Sequence, residues 1–240
     1  MNGLNWTKNL YEKEKSMEEK NLIKDCRVLD FSNELGFLCG KILGDLGADV
    51  IKVEPPGGAP SRNIGPFYKD TPHPEKSLYW FAFNNNKRGI TLKIETPDGR
   101  EILKRLLMTA DILIESFTPG YMDTLGLGYP MLSQMTKEKI IMTSITPFGQ
   151  DGPSKNYKAS DIGIMAMSGC MYLLGDPDRP PVRTSIPVSY MWTGSYAALG
   201  TLMAFFHRQM TGKGQHVDVS AQASAAWSAD TAPFYWEADG

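Results

Sequence analysis

Short apolar runs alternate with amphipathic segments along most of the chain. Runs of about five apolar and β-branched residues, bounded by Gly, Asp or Asn, are typical of buried strands. Leu103, Leu106 and Leu107 instead recur at the spacing of one helical face. The pattern predicts strands over residues 25–31, 49–53, 111–115, 139–145 and 216–220, and helices over 38–46, 97–110 and 193–210. Because strands and helices alternate, an α/β fold is expected, with a mostly parallel sheet and helices on both faces.

Two stretches depart from this alternation. Residues 54–88 are rich in Pro, Gly and Asn, which predicts a long irregular segment of the kind that is often functional in compact domains. The aromatic cluster Tyr79-Trp-Phe81 indicates that this segment packs onto the rest of the fold. Residues 1–24 carry many charges of both signs, which is typical of a solvated extension.

Composition narrows the class of protein. With 240 residues, of which 42% are hydrophobic, the chain is long enough to bury a sizeable core. The net charge of −2 indicates neither a nucleic-acid nor a membrane-surface partner, and no apolar run approaches the ~20 residues of a membrane span. Cys26, Cys39 and Cys170 lie far apart, which predicts neither disulfides nor a metal site. A soluble cytoplasmic protein is therefore expected.

Six motifs follow one another in an order and spacing that are more informative than any one of them. They are Val28-Leu-Asp-Phe31, Leu43-Gly-Asp-Leu-Gly-Ala-Asp-Val-Ile-Lys-Val-Glu-Pro-Pro-Gly-Gly58, Asn86-Lys-Arg-Gly-Ile-Thr-Leu92, Ala110-Asp-Ile-Leu-Ile-Glu-Ser-Phe-Thr-Pro-Gly120, Leu125-Gly-Leu-Gly-Tyr129 and Thr211-Gly-Lys-Gly-Gln-His-Val-Asp-Val-Ser220. Together they resemble the family III CoA-transferases, the CaiB/BaiF group, which also includes α-methylacyl-CoA racemase. The resemblance implies a Rossmann-like large domain over residues 25–227 and an interlocked dimer. It also implies that residues 228–240 begin the connection to a missing C-terminal part.

Tyr190 is the most informative residue once this resemblance is recognised. Members with transferase activity carry an aspartate at its position, in a segment that here reads Pro187-Val-Ser-Tyr190. In the family this aspartate attacks the acyl-CoA thioester and forms a covalent anhydride, which divides a difficult transfer into easier steps. A phenol, which ionises near pH ~10, does not provide that chemistry. Tyr190 is therefore expected to occupy the position of the nucleophile without acting as one.

Other residues offer limited replacements. The racemase branch requires a histidine where this chain has Ser160, so racemase activity is not expected. Asp161 is the first candidate for a relocated nucleophile. A carboxylate at the start of a helix also stabilises the helix dipole, and this structural interpretation of Asp161 is the favoured one. Glu34 is a weaker candidate, in the first strand-to-helix turn.

The resemblance also predicts where coenzyme A binds, and it implies coenzyme A and its acyl thioesters as substrates, with no permanently bound cofactor. Family residues that contact phosphate correspond here to Pro55 and Thr124, so other basic residues are candidates to replace them. For Lys87 and Arg88 a solvated turn is an equal alternative. The predicted coenzyme A residues are Glu34, Leu35, Arg62, Lys87, Arg88, Leu92, Lys93, Ile94, Glu95, Ser116, Phe117, Thr118 and Thr124.

Three functions remain open at this point. In the first, the chain is a subunit without its own nucleophile, and it transfers CoA between carboxylic acids beside an aspartate-bearing paralogue, as in the two-subunit benzylsuccinate CoA-transferase type. In the second, a self-sufficient homodimer uses a relocated carboxylate such as Asp161. In the third, the chain binds CoA thioesters without catalysis. If the C-terminal part is missing, apolar residues such as Trp227, Phe234 and Trp236 are expected to be exposed.

Overall fold

The structure is a computed structural model that describes residues 22–230, 232, 237 and 238. Within this part of the chain, one sheet of parallel strands has the order β3-β2-β1-β4-β5-β6. The strands are β1 (Arg27–Phe31), β2 (Asp49–Glu54), β3 (Lys87–Thr91), β4 (Ile112–Glu115), β5 (Ile141–Thr146) and β6 (His216–Ser220). The predicted α/β fold is confirmed. Residues 1–21 of the predicted extension, together with Phe234 and Trp236, lie outside the described residues.

Helices cover both faces of the sheet, and each face has its own apolar core. The described α-helices are α1 (Phe37–Asp45), α2 (Leu78–Asn84), α3 (Pro97–Leu107), α4 (Tyr121–Thr124), α5 (Tyr129–Met135), α6 (Asp161–Met167), α7 (Val188–Thr211) and α8 (Ala221–Trp227). Side chains of β4 alternate between the cores: Ile112 and Ile114 pack with α1 and α7, and Leu113 packs with α3 and α5. No helix among the described residues is long and apolar enough to cross a membrane.

The predicted helix at 193–210 is longer than expected, and Gly212 closes it in the left-handed conformation (φ 76°), as is common for a C-cap. The prediction of an irregular segment over 54–88 is wrong in part, because the segment contains α2 and the start of β3. Ser77 caps α2 by accepting a hydrogen bond from the Trp80 N–H (3.1 Å). As the aromatic cluster indicated, Trp80 is buried, and it packs edge-on against Phe37 with 5.5 Å between ring centroids.

A buried ion cluster lies between α1 and the sheet. Asp30 of β1 binds Lys52 of β2 (3.1 Å) and Lys87 of β3 (2.9 Å), and all three side chains are at most 3% exposed. Helix α1 approaches closely because Gly40 has no side chain; a Cβ there would lie 2.3 Å from Asp30 Oδ2. Burial raises the pKa of Asp30, but the two ammonium groups outweigh it and hold the pKa below its ordinary value. The cluster therefore ties three strands together beneath α1.

Replacing Asp30 with Asn is expected to lower the free energy of unfolding by about 3–5 kcal/mol, because two buried ammonium groups lose their shared counter-ion. Chemical denaturation of the full chain measures the loss. Glu101→Gln is the control, since the exposed Glu101–Arg105 pair on α3 (57 and 78% exposed) contributes at most about 1 kcal/mol. A loss for Asp30→Asn no larger than that of the control would contradict the prediction.

Candidate functional site

A cavity opens at the carboxyl ends of β1 and β2. It has a volume of about 410 Å³, and its wall includes Phe31 and Glu54, the last residues of these strands, and Phe117, which follows β4. The strand order reverses between β1 and β4, and open α/β sheets commonly bind ligands at this switch point. The volume is within the range of small-molecule sites.

The cavity brings together part of the predicted coenzyme A site. The predicted residues on its wall are Glu34, Leu92, Ile94, Glu95 and Phe117. Ser116 follows β4 beside the first strand-to-helix turn, and its buried hydroxyl has no hydrogen-bond partner among the described residues. Leu35, Lys93, Thr118 and Thr124 lie off the cavity wall, so their assignment stays a prediction.

The three basic residues predicted to bind phosphate are engaged with carboxylates. The Arg62 guanidinium binds both oxygens of Glu54 (2.6 and 2.7 Å), and Lys87 belongs to the buried ion cluster. Arg88 binds Asp49 (2.6 Å). Asp49 is the first residue of β2, so this pair lies at the amino ends of the strands, away from the cavity. All three residues therefore already hold ion pairs, and their role in phosphate binding stays a prediction.

Lys52 lines the cavity, although the sequence analysis did not single it out. Its ammonium group donates to Asp30 Oδ1 and to the Ser32 carbonyl oxygen. Burial lowers the pKa of Lys52 to about 8, against the opposing attraction of Asp30. A signal was present in the sequence, because Lys52 is the single charged residue within the apolar run 50–53. The cavity wall therefore carries this cation together with the carboxyl groups of Glu34, Glu54 and Glu95.

Tyr190 lies in the first turn of α7, and its hydroxyl oxygen accepts a hydrogen bond from the Asp161 N–H (3.0 Å). This N–H starts α6, where the N-cap residue Ser160 makes no side-chain bond, so the phenol caps the helix instead. Burial raises the pKa of Tyr190, and the charges of Asp161 and Glu34 add to the increase. The side chain is therefore a neutral phenol that already holds a structural bond.

Asp161 is buried (4% exposed) and accepts hydrogen bonds on both carboxylate oxygens. Oδ1 accepts from the N–H of Ser189 (3.1 Å) and from its hydroxyl (2.7 Å), and Oδ2 accepts from Arg183 (3.2 Å). Because Ser189 belongs to the first turn of α7, Asp161 caps that helix. The starts of α6 and α7 thus hold each other through Tyr190 and Asp161. A nucleophilic role for Asp161, which would disturb these bonds, stays a prediction.

Tyr79 joins this group, although the sequence analysis noted it only within an aromatic cluster. Burial raises the pKa of Tyr79, and the carboxylates of Glu34 and Asp161 raise it further. Glu34 is also on the cavity wall, so it links the cavity to Tyr190.

Comparison with known proteins extends these observations. The family model for CoA-transferase family III matches residues 23–240. The chain is 41% identical over 214 residues to subunit BbsE of succinyl-CoA:(R)-benzylsuccinate CoA-transferase from Thauera aromatica (89% of this chain, 52% of that one). It is 39% identical over 200 residues to succinyl-CoA–D-citramalate CoA-transferase from Chloroflexus aurantiacus (82% and 48%). A crystal structure of a CAIB/BAIF family protein from Brucella suis matches with a TM-score of 0.83 and 34% identity (91% and 58%).

The doubly wound sheet, the cavity at its switch point and these similarities define an α/β protein of the CoA-transferase type. The chain belongs to CoA-transferase family III, which confirms the resemblance drawn from the order of the six motifs. It spans about half the length of the curated relatives that it matches.

Replacing Tyr190 with Phe is expected to lower the free energy of unfolding by about 1 kcal/mol, because the first N–H of α6 loses its acceptor. Thermal or urea unfolding measures the change. Tyr172→Phe is the matched control, since Tyr172 is 87% exposed, and it should change stability by less than about 0.5 kcal/mol. Equal stability of the two variants would show that the Tyr190–Asp161 bond does not stabilise the fold.

Proposed function

We propose that this chain is a subunit of a CoA-transferase that moves CoA between carboxylic acids, and that a paralogous chain supplies the nucleophilic aspartate. Both curated relatives described above are named for succinyl-CoA and a second acid, which supports acyl-CoA thioesters and carboxylic acids as the substrates. Tyr190 is at the position where the family's nucleophile is expected. The observation that carries the proposal is its hydrogen bond with the Asp161 N–H at the start of α6.

Neither Tyr190 nor Asp161 offers a free carboxylate to a thioester. Attack by Tyr190 would require removal of its proton, and the raised pKa of the phenol makes that step harder. Asp161 is held by three hydrogen bonds from Ser189 and Arg183. These contacts support a subunit that binds and orients substrate, with the covalent step carried out by an aspartate of another chain.

The cavity supports acyl-CoA binding by this chain. It lies at the switch point of the sheet, is largely apolar, and has the Lys52 cation on its wall. Glu34 is on the cavity wall, and its charge raises the pKa values of Tyr79 and Tyr190. A thioester whose nucleotide end fills the cavity would therefore extend towards the position of the family's nucleophile.

One exposed side of α7 supports the proposed partner chain. Tyr196, Leu199, Met203, Phe206 and Met210 are between 38 and 73% exposed. They follow one another at alternating intervals of three and four residues, which is the spacing of helix–helix seams. In this proposal the stripe packs against the aspartate-bearing paralogue. The buried free thiols of Cys26, Cys39 and Cys170 further support a reducing, cytoplasmic location.

A covalent trap on the complete gene product tests the catalytic assignment. The protein is incubated with succinyl-CoA, alone and with the aspartate-bearing paralogue, and quenched with hydroxylamine, and modified carboxylates are mapped by peptide mass spectrometry. The expected result is a hydroxamate on the paralogue and none on this chain, because this chain lacks a free carboxylate at the reacting position.

Asp161→Asn distinguishes the alternatives in the same assay. A hydroxamate at Asp161 of the wild-type chain, absent from the variant, would replace the proposal with a self-sufficient enzyme. Saturable binding of CoA with no adduct on either chain would indicate a binding protein without catalysis.

Replacing Leu92 with Trp is expected to weaken coenzyme A binding at least about tenfold, because the larger side chain fills part of the cavity. Isothermal titration calorimetry with coenzyme A measures the change. Ile102→Trp is the control, since Ile102 is 47% exposed on α3, away from the cavity. Unchanged affinity in Leu92→Trp would place the ligand elsewhere.

A further inference from the structure

Glu115 is a buried carboxyl that the proposed function does not use. It ends β4, is 3% exposed, and accepts a hydrogen bond from the Phe117 N–H (2.6 Å). Phe117 lines the cavity, and its ring packs against Phe31 and Tyr121 with centroid distances of 6.2 and 4.8 Å. The Glu115 carboxyl therefore fixes the backbone that carries one wall of the cavity.

Ser144 and His216 connect Glu115 with the surface. Ser144 lies opposite Glu115 in the register of β4 and β5, and its hydroxyl lowers the pKa of the carboxyl. The same oxygen is 2.9 Å from His216 Nε2, and the exposed His216 stacks on Tyr129 at 5.2 Å.

The groups around Glu115 favour titration near neutral pH. Burial is the main cause that raises the pKa of Glu115 to about 7, and Asp218 and Asp123 raise it further, against hydrogen bonds from Ser144 and the Phe117 N–H. Partial burial lowers the pKa of His216. The titratable groups that face this path are Tyr121 and Asp123 of α4, Tyr129 of α5, Asp151 of the loop after β5, and His216 and Asp218 of β6.

We propose that Glu115 is a positioning residue for the ligand cavity, whose carboxylate holds Phe117 in place. The inference rests on the proposed function only in naming coenzyme A as the ligand. An ionised carboxylate accepts an N–H bond more strongly than a protonated one. The Phe117 wall is therefore held more firmly, and coenzyme A binds more tightly, as the pH rises through neutrality.

The test compares the dissociation constants for coenzyme A of Glu115→Gln and the wild-type full chain between about pH 5.5 and about pH 8.5. The dissociation constant of Glu115→Gln is divided by that of the wild type, and this ratio cancels the titration of the ligand's own phosphates. It is expected to rise from about one to about five, because a charge-assisted bond replaces a neutral one in the wild type. The midpoint of the rise should lie near pH 7, the pKa of Glu115.

Two further variants test whether the pH dependence of coenzyme A binding comes from Glu115. Ser144→Ala is expected to move the midpoint of the wild-type transition to higher pH, because it removes the hydroxyl that lowers the pKa of Glu115. If Glu115→Gln does not fold, the shift of the midpoint in Ser144→Ala tests the role of Glu115 instead. Glu138→Gln is the control, since Glu138 is an exposed carboxylate paired with Lys213, and its ratio should stay at one.

Hydrogen exchange of the Phe117 N–H gives a readout without ligand. After correction for base catalysis, its protection should rise through neutral pH in the wild type and stay constant in Glu115→Gln. The stability of the wild type is expected to change with pH in the opposite direction to the protection of the Phe117 N–H. Because the pKa of Glu115 is raised on folding, the folded chain keeps a proton that the unfolded chain has lost, so wild-type stability falls between pH 4.5 and about pH 7. Glu115→Gln should remove this part of the fall.

The outcomes separate this inference from the proposed function. Coenzyme A binding with a constant ratio and unchanged Phe117 protection would overturn the role of Glu115 and leave the function standing. Absence of coenzyme A binding at every pH, with protection that changes as expected, would overturn the function and leave Glu115 as the positioning residue of this wall. Constant protection without binding would overturn both.

Discussion

The ion cluster of Asp30, Lys52 and Lys87 is the interaction on which the carboxyl edge of the sheet depends. It joins β1, β2 and β3 beneath α1, and the close approach of α1 requires Gly40 above the Asp30 carboxylate. Lys52 of the cluster also lines the cavity, together with Glu34, Glu54 and Glu95. The same contacts that order the strands thus fix the position of one charged group of the cavity wall.

The starts of α6 and α7 stabilise each other through two side chains. Each helix start lacks a side-chain cap of its own, and each is satisfied by a residue of the other, through Tyr190 and Asp161. The Tyr190 hydroxyl therefore stabilises the start of α6 as a hydrogen-bond acceptor. Tyr190 therefore leaves the Asp161 N–H satisfied.

The elements that sequence predicted are those whose signal is local. The runs of β1, β2, β4, β5 and β6, and the helices α1, α3 and α7, are visible in the spacing of their own apolar residues. Strand β3 is a polar edge strand that depends on pairing with β2, so its sequence carries little signal. Likewise, Lys87 and Arg88 were proposed as phosphate ligands from charge alone. Their partners, Asp30 and Asp49, lie 57 and 39 residues away and are brought close only by strand register.

Asp30 and Glu115 show why burial alone does not determine what a carboxyl does. They lie on the adjacent strands β1 and β4, one position apart in register and on opposite faces of the sheet. Asp30 faces two lysines, so it stays ionised and stabilises the fold. Burial raises the pKa of Glu115 to about 7, and its charged neighbours, which are carboxylates, raise it further. A buried carboxyl kept without a counter-ion costs stability, and such groups concentrate where function rather than folding requires them.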